Sequence, residues 1–387
     1  MNEPAPSKQL MQKMNRLKVL DAIKRSEGIT RPALARQTGL SMASITNIVS
    51  YLKARDVVSE TEHEEEGKLG RKAALLRCKY TAYDVVCVKI ETGGLTLSLT
   101  DLAGAVKRIE KKDAAGTGDA FTGYLREEIG RFVRSCATGA TLAVGVAVSG
   151  LVLNGGDYVL SAALKWEASG LKRQLEEDAG LPVVIFNIST SNALFSCTAT
   201  ASAALGNVVF VDLDSGVGAI QLCRGRVNRL AVGEIGHTTV EKDGALCFCG
   251  NRGCLELMCS PERIISAAQA AAGQAAGSLA AAFEWAAADS AVRAAVDGCL
   301  EYLGIAVANV INVFLPEKVI INYADLYAHG YVHEYVAGCV QRRVRQALTG
   351  SVALERVLVS DADKLTGIAQ YVIDTIFDLS FPGNIIA

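Results

Sequence analysis

The stretch that decides the fold runs from Gly233-Glu234-Ile235-Gly236-His237 to Cys247-Phe248-Cys249-Gly250-Asn251-Arg252-Gly253-Cys254-Leu255-Glu256. Three cysteines lie within eight residues, and a histidine stands ten positions before the first of them. Cysteine thiolates and a neutral imidazole are the ligands of a closed, tetrahedral zinc site. The spacing therefore predicts a structural zinc ion bound by His237, Cys247, Cys249 and Cys254.

An alternative interpretation is that the cysteines are three unrelated buried thiols, because free cysteine is often an inert core residue. The spacing favours a metal site instead. Cys247 and Cys249 lie too close in sequence to form a disulfide without strain. Gly250 and Gly253 allow the backbone to turn the third thiolate back toward the first two.

Two glutamates flank the metal motif. A bound ion would hold Glu234 and Glu256 near the two ends of one loop, beside His237. Carboxylates accept hydrogen bonds, and an imidazole can donate or accept them, so these side chains are suited to the hydroxyl groups of a sugar. The segment therefore predicts a carbohydrate site next to the metal.

The run Glu-Ile-Gly-His followed by Cys-x-Cys-Gly-Asn-Arg-Gly-Cys-Leu-Glu resembles the ROK family of sugar kinases and sugar-responsive repressors. In that family the histidine and the three cysteines bind zinc, while the acids and the histidine contact the sugar. The resemblance implies a structural Zn²⁺ at the four residues named above. It also implies that Glu234, His237 and Glu256 contact a small sugar or sugar-phosphate effector.

The resemblance also implies the fold class. We expect an α/β protein with an N-terminal winged helix-turn-helix followed by a two-lobed, actin-like ATPase (ribonuclease-H-like) ROK domain. The expected boundaries are residues 1–80 for the DNA-binding domain, 81–206 for the small lobe and 207–387 for the large lobe with the zinc motif. The last helix, near residues 364–377, is expected to pack back on the small lobe.

The composition is that of a soluble globular protein with an uneven charge distribution. Of 387 residues, 50% are hydrophobic and 21% are charged, and the net charge of −2 excludes a strong global field. Residues 1–80 nevertheless carry 15 Lys/Arg against 9 Asp/Glu. That excess of positive charge indicates an anionic partner for the N-terminal part.

The cysteine count and the apolar stretches bear on localisation. Eleven cysteines, an odd number, and an N-terminus unlike a signal peptide lead us to expect a reducing cytoplasm. Two long uncharged stretches, residues 135–156 and 179–211, are interrupted by Gly, Ser, Thr and Asn. Buried strands with their turns explain these stretches better than membrane spans, so we expect no membrane association.

The N-terminal part shows the pattern of a helix-turn-helix. Thr30 can cap a short helix that has Pro32 in its first turn and ends at Gly39. Ser41 can cap the next helix, whose apolar residues follow the i, i+3, i+4, i+7 rule. These apolar residues are Ile45, Ile48, Val49 and Leu52. Two short helices joined by such a turn form a helix-turn-helix.

The outer face of the second of these helices is small and polar, which suits the major groove, where Asn can read adenine. The expected DNA-contacting residues of this face are Ser41, Ala43, Ser44, Thr46 and Asn47. A hairpin of residues 57–62 and 71–80 follows as a wing, with Arg71 and Lys72 at its tip to reach phosphate or the minor groove. The glutamates of residues 60–66 are expected to face away from the duplex. The alternative is a helical domain that contacts protein.

The body departs from the sugar kinases where they do chemistry. Their first glycine hairpin, Asp-x-Gly-Gly-Thr-Lys, begins here with Glu91 and lacks the Thr-Lys pair. Their Asn-Asp segment, whose Asp takes the proton of the sugar hydroxyl, places Asn187 or Ile188 at the Asp position. Neither an amide nor a hydrocarbon can accept that proton near neutral pH. Asn187 is kept as a candidate ligand-binding residue.

Two further departures concern the nucleotide. The second glycine hairpin carries Asp212 and Asp214, which would repel phosphates. Tyr323 stands where the kinases have a glycine pair beneath the adenosine, and its ring would fill that space. The sequence therefore predicts no enzyme activity and no catalytic residue.

Together these observations predict a cytoplasmic, sugar-responsive transcriptional regulator, a repressor, built on an inactive ROK kinase domain. Its partners would be operator DNA and the sugar effector, and palindromic operators imply a homodimer or tetramer. One alternative is an active ATP-dependent sugar kinase with an appended DNA-binding domain. Another is a metal-responsive regulator, although a closed Cys3His site binds its ion too firmly for routine sensing.

Overall fold

The computed structural model describes residues 7–24, 26, 28–63, 73–92, 94–114, 116–136, 140–161, 164–214, 216–274, 278–323, 330–348 and 350–377. Its N-terminal part, here called the head, has three helices and a two-stranded antiparallel sheet. These elements are α1 (Lys8–Lys24), α2 (Arg31–Thr38), α3 (Met42–Ala54), β1 (Val58–His63) and β2 (Ala73–Cys78). Leu20 and Ile23 of α1 pack in one core with Ile45, Val49 and Leu52 of α3.

Local signals set the ends of α2 and α3. The Thr30 hydroxyl accepts the N–H of Ala33 at 3.4 Å and caps α2, which ends at Gly39 with φ +69°. The Ser41 hydroxyl accepts the N–H of Ser44 at 3.2 Å and caps α3. An oxygen at this position satisfies a backbone donor that the first helical turn leaves without a partner. The predicted helix-turn-helix is therefore confirmed.

The wing is present as a pair of strands. β1 and β2 pair antiparallel from Val58↔Cys78 to His63↔Ala73. The turn between them, with Arg71 and Lys72, lies outside the described residues. That these two basic residues reach DNA stays a prediction.

Glu60 on β1 turns toward the helices. Its carboxylate accepts hydrogen bonds from Arg31 at the start of α2 and from Lys53 near the end of α3, the latter at 2.6 Å. One acid of the wing thus holds the wing against both helices. The side chains of the other wing glutamates, from residue 62 onward, lie outside the described part of the chain.

The first lobe is built on a five-stranded sheet in the order β10-β6-β3-β4-β5, here called the first sheet. Its strands are β3 (Asp84–Glu91), β4 (Gly94–Asp101), β5 (Val106–Lys112), β6 (Thr141–Val148) and β10 (Val183–Asn187). β3, β4 and β5 form an antiparallel meander, while β6 and β10 run parallel to β3. Helices α4 (Gly118–Cys136) and α5 (Leu171–Ala179) and a small sheet of β7 (Leu151–Leu153), β8 (Tyr158–Ser161) and β9 (Trp166–Ser169) complete this lobe.

The second lobe repeats that topology. Its five-stranded sheet, here called the second sheet, has the order β13-β12-β11-β14-β15, again a meander followed by two parallel strands. The strands are β11 (Val208–Leu213), β12 (Val217–Cys223), β13 (Arg226–Gly233), β14 (Lys318–Tyr323) and β15 (Ala353–Val357). The helices are α7 (Leu255–Cys259), α8 (Pro261–Ala272), α9 (Leu279–Ala288), α10 (Ser290–Phe314) and α11 (Gly330–Arg343).

Two helices, α6 (Ile188–Ala199) and α12 (Asp361–Ile376), pack against each other between the sheets. α6 lies on β11 and β12, and α12 lies on β3 and β6. Their approach is close enough to require glycine, because a Cβ on Gly367 would meet the Ser191 carbonyl oxygen at 2.3 Å. This arrangement confirms the predicted fold class, a winged helix-turn-helix followed by a two-lobed body.

Helix α10 is long and apolar enough by composition to cross a bilayer. In the structure it is the centre of the second lobe's core, where it packs against α8, α9 and α11. A helix that is apolar on all sides is typical of such a buried position.

Candidate metal centre and ligand site

The four predicted metal ligands come together. One ligand atom from each of His237, Cys247, Cys249 and Cys254 lies within 4.8 Å of the others. The Cys249 and Cys254 sulfurs are 3.6 Å apart, too far for a disulfide. That separation is close to the roughly 3.8 Å expected between two thiolates on one tetrahedral ion with Zn–S bonds of about 2.3 Å. The donor set and its geometry fit a zinc ion.

Backbone geometry explains how the loop brings the cysteines together. The N–H of Cys247 donates to the Asn251 carbonyl at 2.7 Å, and the N–H of Gly250 donates back to the Cys247 carbonyl at 2.9 Å. At Gly253, φ is +61° and a Cβ would lie 1.6 Å from the Glu241 carbonyl oxygen, so only glycine fits. Cys254 then starts α7 as its N-terminal flanking residue.

One nitrogen of His237 faces the sulfurs. Its Nδ1 lies 3.7 Å from the Cys247 Sγ, and the ring packs edge-on against Phe248 with centroids 5.1 Å apart. Since Nδ1 is directed at the metal ligands, Nε2 is left to face another partner. This agrees with the dual role that the sequence predicts for this histidine.

The two flanking glutamates lie beside this histidine. Burial raises the pKa of Glu234; the His237 ring opposes that shift and the Glu256 carboxylate adds to it. Glu256 lies in the first turn of α7, and its Oε2 accepts the backbone N–H of Val217 at 3.2 Å. A Cβ on either Gly216 or Gly236 would come within 2.9 Å of that oxygen. The predicted ligand residues Glu234, His237 and Glu256 therefore occupy one neighbourhood.

Helix α6 lies beside the turn between β11 and β12, and Asn187 stands at the start of that helix. It ends β10 and caps α6, with its Oδ1 accepting the N–H of Ser189 and its Nδ2 donating to the Gly150 carbonyl, both at 2.7 Å. Ser189 in turn lies against Gly218, where a Cβ would be 2.9 Å from its hydroxyl. Both ends of the Asn187 amide are thus engaged with backbone, and Ile188 is buried in the core.

A charge cluster stands at the two glycine hairpins. The Lys364 ammonium of α12 donates to Glu91 Oε1 at 2.8 Å and to Asp214 Oδ2 at 2.5 Å. Burial alone would lower the pKa of Lys364, but the Asp214 and Glu91 carboxylates raise it above its ordinary value. Asp214, one of the two acids expected to repel phosphate, and Glu91, which begins the first glycine hairpin, are therefore held by a cation of the protein itself.

The other acid of the second hairpin lies elsewhere. Asp212 is buried and accepts hydrogen bonds from Asn322 at 2.8 Å and from Asn192 at 3.0 Å. Burial raises the pKa of the Asp212 carboxyl, and the bonds from these amides oppose that shift. That Asp212 repels phosphate stays a prediction. Tyr323 is also buried, with its hydroxyl 3.3 Å from His333 Nδ1 on α11.

The predicted DNA-contacting residues of α3 lie on one accessible face. Ser41, Ala43, Thr46 and Asn47 are exposed and Ser44 is half-buried. Two of the hydroxyls already have local partners, since Ser41 and Ser44 lie 3.0 Å apart and Thr46 donates to the Met42 carbonyl at 2.9 Å. Asn47 is thus the candidate best placed to read a base edge.

Two features were not predicted from the sequence. One is the ionic contact of Lys364 with Glu91 and Asp214, which the residues around Lys364 in the sequence do not indicate. The other is Tyr51, whose ring lies between the guanidinium groups of Arg16 and Arg55, 3.5 Å and 3.7 Å from its centroid. The i, i+4 spacing of Tyr51 on α3 and Arg55, the residue that follows this helix, could have indicated half of this arrangement.

The fold and the site define a class of protein, namely a winged-helix head on a two-lobed, actin-like body with a Cys3His cluster. The ROK family model matches residues 85–374, and the chain belongs to the ROK family.

Relatives resemble the chain over almost its whole length. The xylose repressor of Bacillus subtilis (strain 168) is 25% identical over 381 residues, which cover 95% of this chain and 97% of that one. The DNA-binding transcriptional repressor Mlc of Escherichia coli (strain K12) is 25% identical over 361 residues, 88% of each chain.

Solved structures agree with the sequence relatives. A ROK family transcriptional regulator described as a homologue of E. coli Mlc matches with a TM-score of 0.80 and 25% identity, covering 94% of this chain and 97% of that one. A ROK hexokinase from Thermus thermophilus matches with a TM-score of 0.61 and 20% identity, covering 75% of this chain and 98% of its own. The hexokinase shares the fold of the body.

Proposed function

We propose that this protein is a sugar-responsive transcriptional repressor whose kinase-like body has lost its catalytic function. The observation that carries this proposal is similarity to repressors such as that of xylose across 95% of this chain, head included. The family's hexokinase, by contrast, matches over 75% of the chain.

The head is assigned to operator DNA. The exposed face of α3 carries Ser41, Ala43, Thr46 and Asn47 with Ser44 at its edge, and small polar side chains of this kind suit a major groove. Arg71 and Lys72 of the wing are proposed to contact phosphate. Palindromic operators match two-fold protein symmetry, so the active form is proposed to be a homodimer or tetramer.

The effector is a sugar or sugar phosphate bound at Glu234, His237 and Glu256. Support comes from the grouping of two carboxylates and a ring nitrogen beside the hairpin of residues 216–218. Asn187 lines the far side of that hairpin, and its two backbone bonds make it a support for the site as well as a candidate contact.

Zn²⁺ is proposed as a structural cofactor held by His237, Cys247, Cys249 and Cys254. Its chemistry there is to cross-link the loop, and the Cys3His set leaves no open coordination position of the kind that catalytic zinc needs. The ion would fix the position of Glu256, which follows Cys254 by two residues.

The absence of kinase activity rests on the residues at the expected general-base position. Asn187 is an amide engaged at both ends, and Ile188 is buried among apolar side chains. The alternative, an active sugar kinase with a DNA-binding head, finds support in relatives such as the glucokinase of Halalkalibacterium halodurans, 28% identical over 260 residues. The residues at the general-base position, Asn187 and Ile188, disfavour it. The protein is assigned to the cytoplasm.

The test is selection of DNA by the full-length protein from a random duplex pool, followed by titration of the selected site with and without a panel of sugars and sugar phosphates. We expect one palindromic site and at least one sugar that changes its affinity. The proposal is wrong if no sequence is enriched, or if the protein phosphorylates a sugar at an ordinary enzyme rate of roughly 1–10³ per second.

A further inference from the structure

The Lys364 ammonium joins the two lobes. Glu91 is the last residue of β3 in the first sheet, and Asp214 directly follows β11 in the second. Because Lys364 contacts both carboxylates, a single side chain closes an ionic bridge between the sheets. Lys89 extends it, contacting Glu91 and Asp361 at 2.7 Å each.

The two lysines of this bridge are shielded from solvent, whereas the Glu91, Asp214 and Asp361 side chains are 18%, 23% and 61% exposed. Lys89 is 5% exposed and Lys364 is 7% exposed. Buried charges are screened little by salt, so their attraction persists where surface pairs lose theirs. The geometry of a buried ion pair also matters more than that of a surface pair, because a buried charge left without its partner strongly destabilises the folded protein. The bridge therefore favours one separation of the two sheets over others.

Helix α12 is fixed to the second lobe at its first turn. The N–H of Val359, just before the helix, donates to the side-chain oxygen of Asn322 on β14 at 3.0 Å. Ser360 and Asp363 form a reciprocal capping box at the helix start. The remainder of the helix lies on the first sheet, where Gly145 leaves room for Val372, since a Cβ there would be 2.0 Å from that side chain.

The far end of α12 contacts the head. Ile373 and Ile376 share a core cluster with Leu20 of α1, and Lys24 lies 3.5 Å from Asp374. A helix of 16 residues is about 24 Å long and moves as a stiff element. One rigid helix therefore touches both the ionic bridge and the DNA-binding head.

We propose that Lys364 is a latch between the lobes and that α12 transmits the state of this latch to the head. Breaking the bridge frees the lobes to change their separation, and α12, held by the first sheet, shifts α1 with it. The latch stands independently of the proposed function, whereas the effect on operator binding rests on it.

The experiment compares four full-length proteins. In the first variant, Lys364→Met, Glu91→Gln and Asp214→Asn are combined, which removes the bridge without leaving a buried charge unpaired. Lys364→Arg keeps the cation as a conservative rescue. Lys318→Met is the matched control, because Lys318 pairs with Glu355 at 2.7 Å within the second sheet alone. Wild type is the fourth.

Two readouts separate the latch from its transmission. The first is the distance distribution between probes at Leu153 of the first lobe and Lys242 of the second, attached by a chemistry that spares the cysteines. The second is hydrogen exchange of the buried α1 amides, together with the affinity for a selected operator. We expect the triple variant to broaden the distances, to speed exchange in α1 and to change operator affinity about 5- to 150-fold, the usual range of coupling between sites. The arginine and Lys318→Met proteins should resemble wild type.

An unchanged distance distribution in the triple variant overturns the latch. A broadened distribution with unchanged α1 exchange overturns the transmission through α12. Changed α1 exchange in a protein that binds no specific DNA would leave the latch standing and refute the proposed function instead.

Discussion

Glu256 Oε2 accepts the backbone N–H of Val217 at 3.2 Å. This hydrogen bond joins α7, the helix that follows the cysteine loop, to Val217, the first residue of β12. A carboxylate held in this way has one oxygen fixed by the protein and the other available to a ligand. In the proposed sugar site, this pair would set where a sugar hydroxyl is received.

Glu256→Gln should weaken effector binding about 10- to 100-fold, because hydrogen bonds to a charged partner contribute about 1.5–3 kcal/mol. Operator binding without sugar should be unchanged. Isothermal titration calorimetry with the active sugar measures the first, and an operator titration measures the second. Glu262→Gln, on the exposed side of α8, is the matched control. Wild-type sugar affinity in Glu256→Gln would rule out this residue as a contact.

Cys249→Ser should remove bound zinc and destabilise the second lobe, since metal binding free energy at such sites is folding free energy. Elemental analysis should find one zinc per chain in wild type and far less in the variant. Thermal unfolding should begin at a lower temperature. Cys223→Ser changes an exposed thiol outside the cluster and should retain both metal and stability. Equal zinc content in the two variants would contradict the assigned ligands.

Sugar phosphorylation should be undetectable in a coupled assay across common hexoses, because loss of a general base alone removes about two to four orders of magnitude. Asn187→Asp should not restore it. The new carboxylate would sit where the amide now caps α6, and Lys364 would still hold Glu91 and Asp214. Turnover in Asn187→Asp, but not in wild type, would show that the remaining machinery is intact.

Asn47→Ala should relax sequence choice at one base pair by about 1–3 kcal/mol, the usual contribution of a bidentate base contact. Arg71→Ala and Lys72→Ala should instead weaken binding to all sequences and each reduce the salt slope by about one. Binding titrations at several salt concentrations on matched and mismatched sites separate these effects. Lys242→Ala, an exposed lysine of the second lobe, should change neither. An unaltered preference in Asn47→Ala would place another residue at the base edge.

The head should lose stability in acid through Glu60. Hydrogen bonds from Lys53 and Arg31 lower the pKa of this carboxyl in the folded protein. A depressed folded-state pKa means that the stabilisation is present above the unfolded value of 4.5 and is lost as pH falls through the folded value. Glu60→Gln should lower the head's stability at pH 7 and reduce its dependence on pH below 4.5. Circular dichroism melts of both proteins between pH 3 and pH 7, on the order of the range over which paired carboxylates titrate, measure the difference.

The features predicted from the sequence depend on short-range signals. Thr30, Gly39 and Ser41 mark helix ends through contacts with residues three or four positions away, so the helix-turn-helix could be recognised without a structure. The metal ligands fall within one segment of 18 residues, and a loop that short limits where they can go. Such contacts depend little on the rest of the fold.

The features that the sequence did not predict depend on long-range packing. Lys364 meets Asp214 across 150 positions and Glu91 across 273. In the sequence it is one lysine of an amphipathic helix, where a solvated position is the usual outcome. Asp212 lies in β11, which is otherwise apolar and is buried along its whole length. The partners that bond its carboxylate, Asn192 and Asn322, lie 20 and 110 positions away in the sequence. No local pattern carries that information.

Because α12 comes late in the sequence, it is still absent while the strands of the first sheet are synthesised. β3 and β6 are made early, yet the apolar face that they share is covered by residues that the ribosome adds much later. Glu91 and Lys364 are 273 positions apart, a length that takes roughly 14–55 s to translate at about 5–20 residues per second. For that interval the face of the first sheet formed by Val85, Cys87, Ala143 and Ala147 lacks the helix that covers it in the folded protein. Of the two lobes, the first is begun first and completed last, which gives a chaperone that binds unpaired apolar strands time to act on it.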